Sequence, residues 1–590
     1  MLMQYPHINR DSRGIQKTGL NNLVGYHPGN PAKTMRGLKG RNVVIAQSWV
    51  SPQIAGNGFA VAKGIDGNQF QMPAGLTSSE RIAAFIDLGT NSVRLLVVRI
   101  NPNHSWSIIS QQKEAIRLGE GFSDHRLHPE AMQRAVSVCR QFAEMARSFN
   151  ATEVIAVATS ATREAENQNE FIDRFQQETG VDLHVISGRE EARLIYLGVA
   201  GGLDLGKQRA LFIDIGGGST ELVVGDQQGY AYLDSLKLGA LRLTAKFIDD
   251  PAAPVSAATY ARIQAHVRSK AIRSLQHLRD YPFDLVVGSS GTIEALAVLA
   301  ARALRKDDTN RALEIILRDI ELLPRLLCPL TAQERKNLPG MNPARADIII
   351  AGMAIVHTLM QELGINRIKV SERGLRDGLL VDYLNRVVYS PEVAEMSVRA
   401  RSVMQLGRSC NYDEPHARQV AQLSLALFDS ARSCKLHKFG KRERELLAWA
   451  AQLHDIGIFL SFTNHPVHGA YFIRNADLPG FNQWETDVIA GIVHAHNKIL
   501  THKKIEAIAG LDAAGQELVL QLSPFLRLAE NLDRSHSGLV HDARFTLANA
   551  KDVDLVITAP HGCPLELTSI QTHLAGKKIP FASKVTIRYQ

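Results

Sequence analysis

Residues 86–98 read IDLGTNSVRLLVV, and residues 213–224 repeat the pattern as IDIGGGSTELVV. In each copy an apolar run ends in aspartate and is followed by a glycine-containing turn and a second apolar run. The pattern predicts two strands joined by a turn whose backbone N–H groups can converge on an anion. Either copy alone is better explained as an ordinary hairpin. Because the pattern recurs in register, we interpret the pair as a duplicated phosphate site whose aspartates, Asp87 and Asp214, hold a divalent metal ion against the phosphate oxygens.

The composition is that of a globular protein of several domains, with 590 residues in the chain. No apolar run approaches the roughly 18–20 residues that span a bilayer, and the first residues lack the apolar core of a secretory signal. We therefore expect a cytoplasmic location and no membrane partner. The five cysteines are scattered and predict neither a disulfide framework nor a zinc ribbon. Most of the formal net charge of +8 falls within residues 1–79, which we interpret as a flexible basic extension, so no nucleic-acid partner is expected.

Strand-like and helix-like stretches alternate up to about residue 385, which is typical of α/β layers. The alternation restarts at the second aspartate turn, so we predict two related lobes, at residues 80–205 and 206–385, with a cleft between them. Residues 345–363 of the second lobe predict one long helix. Apolar residues at helical spacing then predict an all-α domain over residues 391–535. Strand patterns return in a small α+β element over residues 536–590.

Further motifs follow the first turn in a fixed order. They are RLGEG at 117–121, ATSATRE at 158–164, ISGREEAR at 186–193, GSSGT at 288–292, RADI at 345–348 and SERGLRDG at 371–378. Together with the two turns, these motifs resemble those of the exopolyphosphatase and guanosine pentaphosphate phosphohydrolase (Ppx/GppA) family. The resemblance implies two actin-like lobes of the ASKHA, ribonuclease H-like superfamily, and it extends more weakly to an HD-type helical domain. It also implies a homodimer.

The activity implied by the resemblance is removal of a terminal phosphoryl group by water, with Mg²⁺ as cofactor and Mn²⁺ as an alternative. Such chemistry depends on positioning and on neutralising the charge of the transferred group. Arginine forks suit phosphate oxygens in a way that lysine does not. The phosphate- and metal-binding residues expected from the turns and from the resemblance are Asp87, Gly89, Thr90, Asn91, Ser92, Arg94, Arg117, Asp214, Gly216, Gly217, Gly218, Ser219, Thr220 and Glu221.

A water nucleophile needs a base, and two adjacent glutamates are candidates. Ser187 is a predicted N-cap that places Glu190 and Glu191 in the first turn of a helix. They point about 100° apart around the helix, and on the residues alone the choice between catalysis and simple helix-dipole stabilisation is roughly even. The family's catalytic glutamate matches Glu191, so the resemblance favours Glu191.

The motif at residues 288–292 has two interpretations of about equal weight. It follows an apolar strand at the place where kinases of the superfamily hold a nucleoside, and its loop would consist of Gly288, Ser289, Ser290, Gly291 and Thr292. The alternative is an ordinary turn between a strand and a helix. In the neighbouring motif, Asp347 is expected to make a structural contact rather than to act in catalysis.

The helical half contains a second group of chemically active side chains. His416, the adjacent His454 and Asp455, and Asp533 resemble the HD quartet, in which two histidines and two aspartates bind a divalent metal. The resemblance therefore implies a second divalent metal ion in this domain. His465, His468, His494 and His496 are additional potential ligands.

These observations predict an exopolyphosphatase with inorganic polyphosphate as its partner and Glu191 as its base. Hydrolysis of the guanosine pentaphosphate pppGpp by the same site is the alternative, and no motif separates the two. A kinase or ATPase of the superfamily would leave the match at Glu191 unexplained. A non-catalytic sensor of pppGpp or ppGpp would bind its nucleotide without releasing phosphate.

Overall fold

The computed structural model describes residues 80–120, 125–307, 314–497, 510–549, 552–575 and 584–590. The predicted basic extension, residues 1–79, lies outside the described residues. Among those described, no helix combines the length and the apolar character needed to cross a bilayer.

The first lobe contains a mixed sheet of five strands, β1 (Arg81–Leu88), β2 (Ser92–Ile100), β3 (Trp106–Ala115), β4 (Glu153–Ala158) and β5 (Leu183–Val185). Their order is β3-β2-β1-β4-β5, with β1 antiparallel to β2 and parallel to β4. β1 is buried along nearly its whole length because it lies at the centre of the sheet and is covered on both faces. The helices are α1 (Pro129–Ser148), α2 (Ser160–Arg163), α3 (Gln168–Thr179) and α4 (Gly188–Ala200).

The second lobe repeats this arrangement with one additional strand. Its strands are β6 (Ala210–Ile215), β7 (Thr220–Gly225), β8 (Tyr230–Leu236), β9 (Leu285–Ser289), β10 (Glu314–Ile316) and β11 (Arg367–Val370). The order is β10-β11-β9-β6-β7-β8. The central strand β6 is antiparallel to β7 and parallel to β9, as β1 is to β2 and β4. The repeat found in the sequence is therefore a repeat of whole sheets.

The helices of the second lobe cover its sheet and connect it to the rest of the chain. They are α5 (Ala240–Phe247), α6 (Ala257–Leu278), α7 (Gly291–Leu299), α8 (Leu317–Leu327), α9 (Ala332–Lys336), α10 (Ile349–Leu363) and α11 (Leu375–Tyr383). The helix predicted over residues 345–363 begins only at Ile349, because Pro343–Arg345 forms a separate 3₁₀ turn. Most of α10 is buried, in keeping with its almost uninterrupted apolar sequence.

The two lobes are joined by α4 and α11, which pack against each other at very short range. A Cβ atom at Gly378 would lie 1.8 Å from the carbonyl oxygen of Leu194, and one at Gly198 would lie 2.2 Å from the carbonyl oxygen of Gly374. One apolar cluster combines side chains of both helices with side chains of both sheets, among them Phe85. The absence of side chains at the two glycines is therefore what allows the lobes to share a core.

The rest of the chain is helical and ends in a small sheet. The helices are α12 (Pro391–Ala394), α13 (Val398–Ser409), α14 (Glu414–Ser433), α15 (Lys441–Gln452), α16 (His465–Asn475), α17 (Gln483–His494), α18 (Ala513–Leu532) and α19 (Pro564–Leu574). The strands are β12 (Asp542–Leu547), β13 (Asp552–Thr558) and β14 (Lys584–Tyr589). A single apolar cluster unites the helices with this sheet. The predicted fold class is confirmed, since two α/β lobes, an all-α domain and an α+β element follow in the expected order.

Replacing Gly378 by alanine tests the packing of α4 against α11. The added methyl group collides with backbone rather than with a flexible side chain, so we expect a loss of about 1–3 kcal/mol or more in stability and a lower midpoint of thermal unfolding. Gly229→Ala is the matched control, because a Cβ there meets no atom within 4 Å. Equal midpoints for the two variants in differential scanning calorimetry would contradict the argument.

Candidate active site

The two repeated turns have the same backbone geometry. The Gly89 N–H donates to the carbonyl oxygen of Ser92 at 3.0 Å, and the Gly216 N–H donates to that of Ser219 at 3.0 Å. Each turn follows the aspartate of its central strand, β1 or β6. The duplicated turn predicted from the sequence is thus present as a structural repeat, and anion binding by it stays a prediction.

The turns of the two lobes face and touch each other. A Cβ at Gly218 would lie 2.2 Å from the Ser160 hydroxyl oxygen and 2.8 Å from the Thr90 hydroxyl oxygen, and one at Gly217 would lie 3.1 Å from the Thr90 Cβ. Only glycine permits this approach. The contact brings the backbone of both turns around one small cavity.

That cavity has a volume of about 110 Å³ and is lined mainly by polar groups. The side chains of Asp87, Arg94, Glu191 and Asp214 line it together with both turns. The predicted site residues on its wall are Asp87, Gly89, Thr90, Asn91, Ser92, Arg94, Glu191, Asp214, Gly216, Gly217, Gly218 and Ser219, joined by Ser290 and Gly291. Residues 371–375, from the last motif of the second lobe, complete the wall.

Buried carboxylates dominate the electrostatics of the cavity. Burial raises the pKa of Asp87 to about 6, although the nearby Arg94 opposes the shift. Burial raises the pKa of Asp214, against the hydrogen bond that the Ser289 hydroxyl donates to it at 2.5 Å. The pKa of Glu221 lies well above its ordinary value, because the side chain is buried near further carboxylates. This concentration of acidic oxygen atoms is the type of donor set that binds Mg²⁺ or Mn²⁺.

Glu191 enters the cavity from the first turn of α4. The Ser187 hydroxyl caps this helix by accepting a hydrogen bond from the Glu190 N–H, as predicted. Arg163 donates to a Glu191 carboxylate oxygen at 3.0 Å and to the carbonyl oxygen of Ile186 at 2.8 Å. Burial raises the pKa of Glu191 to about 7, and the Arg163 guanidinium limits the rise. Glu191 is consequently held in one orientation with a pKa suited to accepting a proton near neutral pH.

Glu190 points elsewhere. Both of its carboxylate oxygens accept hydrogen bonds from Arg193, at 2.8 and 2.7 Å, and Arg193 also donates to Asp382 of α11 at 2.9 Å. Glu190 therefore belongs to an ion-pair network between α4 and α11. The structure therefore distinguishes Glu191, which faces the cavity, from Glu190, which does not. The sequence alone could not make this distinction.

The two lobes differ at one equivalent position. Asp87 is paired across the ladder with Arg94 in the first lobe, and Asp214 is paired with Glu221 in the second. The repeat thus provides a cation on one side and an extra carboxylate on the other. An arginine beside one turn suits phosphate oxygens, and a carboxylate beside the other suits a metal ion.

Three of the predicted binding residues are not part of the cavity wall. Arg117 was expected to bind phosphate, but its guanidinium donates to Asp347 at 2.7 Å and is not part of the cavity wall. This contact gives Asp347 the structural role expected for it. The Thr220 hydroxyl is fully buried and donates to the carbonyl oxygen of Leu238 at 2.6 Å, so it is already satisfied within the fold. Glu221 lies below the wall, where it accepts a hydrogen bond from Ser235 at 2.8 Å.

The loop at residues 288–292 supports the Asp214 side of the cavity. Ser289 binds Asp214, and the Ser290 hydroxyl donates to the carbonyl oxygen of Ile215 at 2.8 Å with Ser290 itself at a φ of 88°. The guanidinium of Arg345 lies so close to Gly291 that a Cβ there would be 2.2 Å from it. Arg345 also donates to Thr292 at 3.2 Å. Among the candidate nucleotide-loop residues, Gly288 packs against apolar side chains.

Three further cationic side chains beside the carboxylates were not apparent from the sequence, although all three fall within quoted motifs. Arg163 pairs with Glu191, Arg345 acts on Asp214 and Arg376 acts on Asp87. Burial and the nearby Arg94 lower the pKa of Arg345. Each of these arginines stands in a motif. The sequence alone does not tell whether an arginine side chain faces a cavity or a neighbouring helix.

In the helical domain, three of the four predicted metal ligands come together. His416, His454 and Asp455 form one group whose fourth member is Glu530, and their ligand atoms lie within 4.8 Å of one another. Asp533 instead accepts a hydrogen bond from Nδ1 of His416 at 2.8 Å. The prediction of Asp533 as a direct ligand is therefore replaced by Glu530, one helical turn earlier on α18.

Comparison with known proteins agrees with the geometry of the two lobes and of the helical domain. The family model described as the Ppx/GppA phosphatase family matches residues 96–387, and the model of Ppx/GppA phosphatase domain III matches residues 398–575. The chain belongs to the Ppx/GppA phosphatase family. Its lobes are accordingly those of an actin-like phosphatase. Ppx/GppA members are phosphohydrolases, and this chain is a hydrolase of phosphate anhydrides.

Solved Ppx/GppA structures match about half of the chain. The exopolyphosphatase from Cytophaga hutchinsonii is 27% identical, with 52% of this chain and 98% of that chain covered and a TM-score of 0.48. The Ppx/GppA family member from Aquifex aeolicus is 28% identical, with 53% of this chain and 100% of that chain covered and a TM-score of 0.44.

The raised pKa of Asp87 predicts a pH-dependent effect of Asp87→Asn on stability. Since the folded-state pKa of about 6 exceeds the ordinary 3.8, the ionised carboxylate destabilises the metal-free fold above pH 6, by about 3 kcal/mol at about 1.4 kcal/mol for each pH unit. The variant should therefore unfold at a higher temperature than wild type at pH 8 in the presence of a chelator.

The same gain should disappear below about pH 4, where Asp87 is protonated in both the folded and the unfolded chain. Asp173→Asn, at an exposed position of α3, serves as the control and should change the midpoint little at either pH. A variant less stable than wild type at pH 8 would contradict the account of the buried charge.

Proposed function

We propose that this Ppx/GppA phosphatase is an exopolyphosphatase, which hydrolyses the terminal phosphate of inorganic polyphosphate. The observation behind the proposal is a second cavity of about 460 Å³ that shares Thr90 and Gly218 with the catalytic cavity. Its cationic lining consists of His125, Lys237, Arg242, Lys246, His266 and Lys270. When the end of a linear polyphosphate lies between the turns, these cationic side chains would neutralise the phosphate groups that follow it.

The electrostatics of the second cavity support a long anion. The pKa of His266 is lowered by burial and by the positive charges of Lys246 and Lys270. The wall of the second cavity therefore carries excess positive charge. Lys237 and Arg242 share the single carboxylate of Glu164, at 3.0 and 2.7 Å, so that pair keeps a net positive charge.

The alternative substrate, pppGpp, finds less support at the predicted nucleotide loop. The catalytic cavity of about 110 Å³ is well below the roughly 300–1,000 Å³ of typical small-molecule pockets. Arg345 lies directly against Gly291, where a nucleoside would have to approach the loop. The described lining of the larger second cavity contains ammonium and imidazole groups but no phenylalanine, tyrosine or tryptophan ring to stack on a base.

The acidic donor set fits a Mg²⁺ ion held by Asp87 and Asp214 on the cavity wall, with the Glu221 carboxylate beside Asp214. Burial raises the pKa of all three carboxylates, so each would hold its negative charge more readily with a cation beside it. When bound, the ion neutralises charge on the phosphate oxygens and helps to align them. In this proposal Mn²⁺ is the natural substitute, since it accepts the same oxygen ligands.

The protein's own groups would then perform the transfer. The N–H groups of the two turns and the Arg94 guanidinium hold the terminal phosphate. Glu191, fixed by Arg163, accepts the proton of the attacking water as the new P–O bond forms. The bond from phosphorus to the bridging oxygen breaks, and the shortened chain leaves.

Substitution of Glu191 tests its role as the base. Glu191→Gln removes the proton acceptor but retains shape, so phosphate release from polyphosphate should fall by about 10²–10⁴-fold in kcat. Wild-type activity should also decline as the pH drops through about 7, because the raised pKa leaves Glu191 protonated below that value.

Glu190→Gln is the matched control for this experiment, because it alters the adjacent side chain while sparing the cavity. It should retain activity within a few-fold of wild type. Similar losses in both variants would assign the effect to α4 rather than to proton transfer.

The double substitution Lys246→Gln and Lys270→Gln tests the choice of substrate. By analogy with nucleic acids, each lost phosphate contact should reduce the slope of log affinity against log salt concentration by about 1. We expect a higher KM for long-chain polyphosphate with little change for tripolyphosphate, which is too short to reach from the turns across the second cavity.

Lys336→Gln, at an exposed position of α9 outside the cavity, provides the charge control and should leave both KM values unchanged. Parallel assays with pppGpp separate the two candidate functions. If pppGpp were cleaved with the higher kcat/KM and the lysine variants did not affect polyphosphate, the proposal would fail.

A further inference from the structure

A third cavity, the junction cavity, has a volume of about 300 Å³ and lies between the first lobe and the helical domain. Its wall is formed by the start of β3, the end of α11 with the residues after it, one face of α13 and the segment between α16 and α17. The volume reaches the roughly 300–1,000 Å³ of typical small-molecule sites, which occur preferentially where domains meet. The exposed residues Ile108 and Asp477 belong to the wall, so a small molecule can reach the cavity from solvent.

Hydrogen bonds across the domain boundary fix the shape of the junction cavity. The Trp106 backbone N–H donates to Oε1 of Gln405 at 3.2 Å, and the side-chain amide of Gln405 donates back to the Trp106 carbonyl oxygen. The Ser402 hydroxyl lies 3.0 Å from the carbonyl oxygen of Pro479 and connects α13 to the segment before α17. Because the wall is held in place by these contacts, a ligand would bind without having to order it first.

The lining is mainly apolar and includes two aromatic side chains, Trp106 and Tyr389. The Trp106 indole N–H donates to the Tyr389 hydroxyl at 3.2 Å, so the polar atoms of the two rings satisfy each other. Their apolar ring surfaces remain for contact with a ligand. Aliphatic side chains complete this part of the wall, and they are Val381, Leu384, Val398 and Leu406. Such a lining favours an apolar, ring-containing body in the ligand.

The charged side chains of the described wall leave a net positive charge. They are two arginines and one carboxylate, and the carboxylate, Asp477, already forms an ion pair with Arg373. The other arginine, Arg401, is half-buried and donates to the carbonyl oxygen of Ala394 at 3.2 Å. No carboxylate oxygen of a described residue lies within 4.0 Å of its guanidinium. Since a guanidinium has five N–H donors, Arg401 retains donors for an anion.

Arg401 belongs to the cavity-facing side of α13 and lies near both aromatic residues. The lining residues of this helix recur at helical spacing, and they are Val398, Arg401, Ser402, Gln405, Leu406 and Ser409. Gln405, one turn after Arg401, holds the backbone of Trp106. Burial raises the pKa of Tyr389, and the nearby Arg401 opposes the rise. An anionic group at Arg401 would therefore place an attached ring beside the aromatic part of the wall.

We propose that the junction cavity binds a small aromatic carboxylate, whose anionic group pairs with Arg401 and whose ring packs against Trp106 and Tyr389. Arginine and a carboxylate can form two parallel charge-assisted hydrogen bonds, which also orient the ligand. The ligand differs in class from polyphosphate, because a chain of phosphates would lose its hydration against the apolar wall. Within the described residues, the wall shares only Arg373 with the catalytic cavity. The proposal is therefore independent of the function proposed above.

Isothermal titration calorimetry of the full chain with naphthoate and with the uncharged naphthylmethanol tests the proposal. We expect one naphthoate per chain, bound about tenfold more tightly than the alcohol, because hydrogen bonds to a charged group contribute about this factor. Arg401→Gln should reduce the preference for the acid to about twofold or less. Arg140→Gln, at an exposed position of α1 outside the wall, is the matched control and should retain the wild-type preference.

Ser409→Trp locates the binding, because an indole on the cavity-facing side of α13 would occupy the space of the ligand. It should abolish the binding of both compounds, while circular dichroism verifies that the variant is folded. The Arg401 variant does not alter the packing volume in this way and tests the anion contact separately. The assignment would be overturned if wild type did not bind naphthoate at about 1 mM, if Arg401→Gln kept the full preference for the acid, or if folded Ser409→Trp bound both compounds as wild type does.

Discussion

The close packing of α4 against α11 is the constraint on which the rest of the phosphatase half depends. Gly198 and Gly378 allow the two backbones to meet, and the apolar cluster around them contains side chains from both sheets. The N-terminus of α4 then emerges at the cavity with Glu191, while Arg193 binds α11 through Asp382. The lobes and Glu191 are therefore positioned by the same contact, so that displacement of one displaces the other.

The duplication accounts for the two similar turns, but it does not account for the different charges on the two sides of the cavity. The two turns have equivalent hydrogen bonds, and the central strands have equivalent neighbours, since β1 lies between β2 and β4 and β6 lies between β7 and β9. The difference lies at the residue opposite each aspartate, Arg94 in one lobe and Glu221 in the other. A symmetric cavity would treat the phosphate and a cation alike from both sides. The exchange of one charge would give a phosphate bound there a direction, with an arginine on one side of it and carboxylates on the other.

Most of the fold and the centre of the site were predictable from the sequence, because strand and helix periodicity and the glycine-containing turns are local properties. The remaining errors concern partners that only the folded chain brings together. Arg117 binds Asp347, and Glu530 rather than Asp533 faces the histidines, since both acids lie on the same helix one turn apart. The choice of Glu191 over Glu190 became a physical one only when Arg193 was seen to hold Glu190.

The contact between the two turns also limits how the cleft can move. Gly218 lies so near Ser160 and Thr90 that no further approach of the lobes is sterically available. A hinge motion from this state would widen the cleft. Opening would then serve to admit or release a ligand rather than to bring the two turns together. In many enzymes such opening and release steps, rather than the chemical step, set the turnover rate.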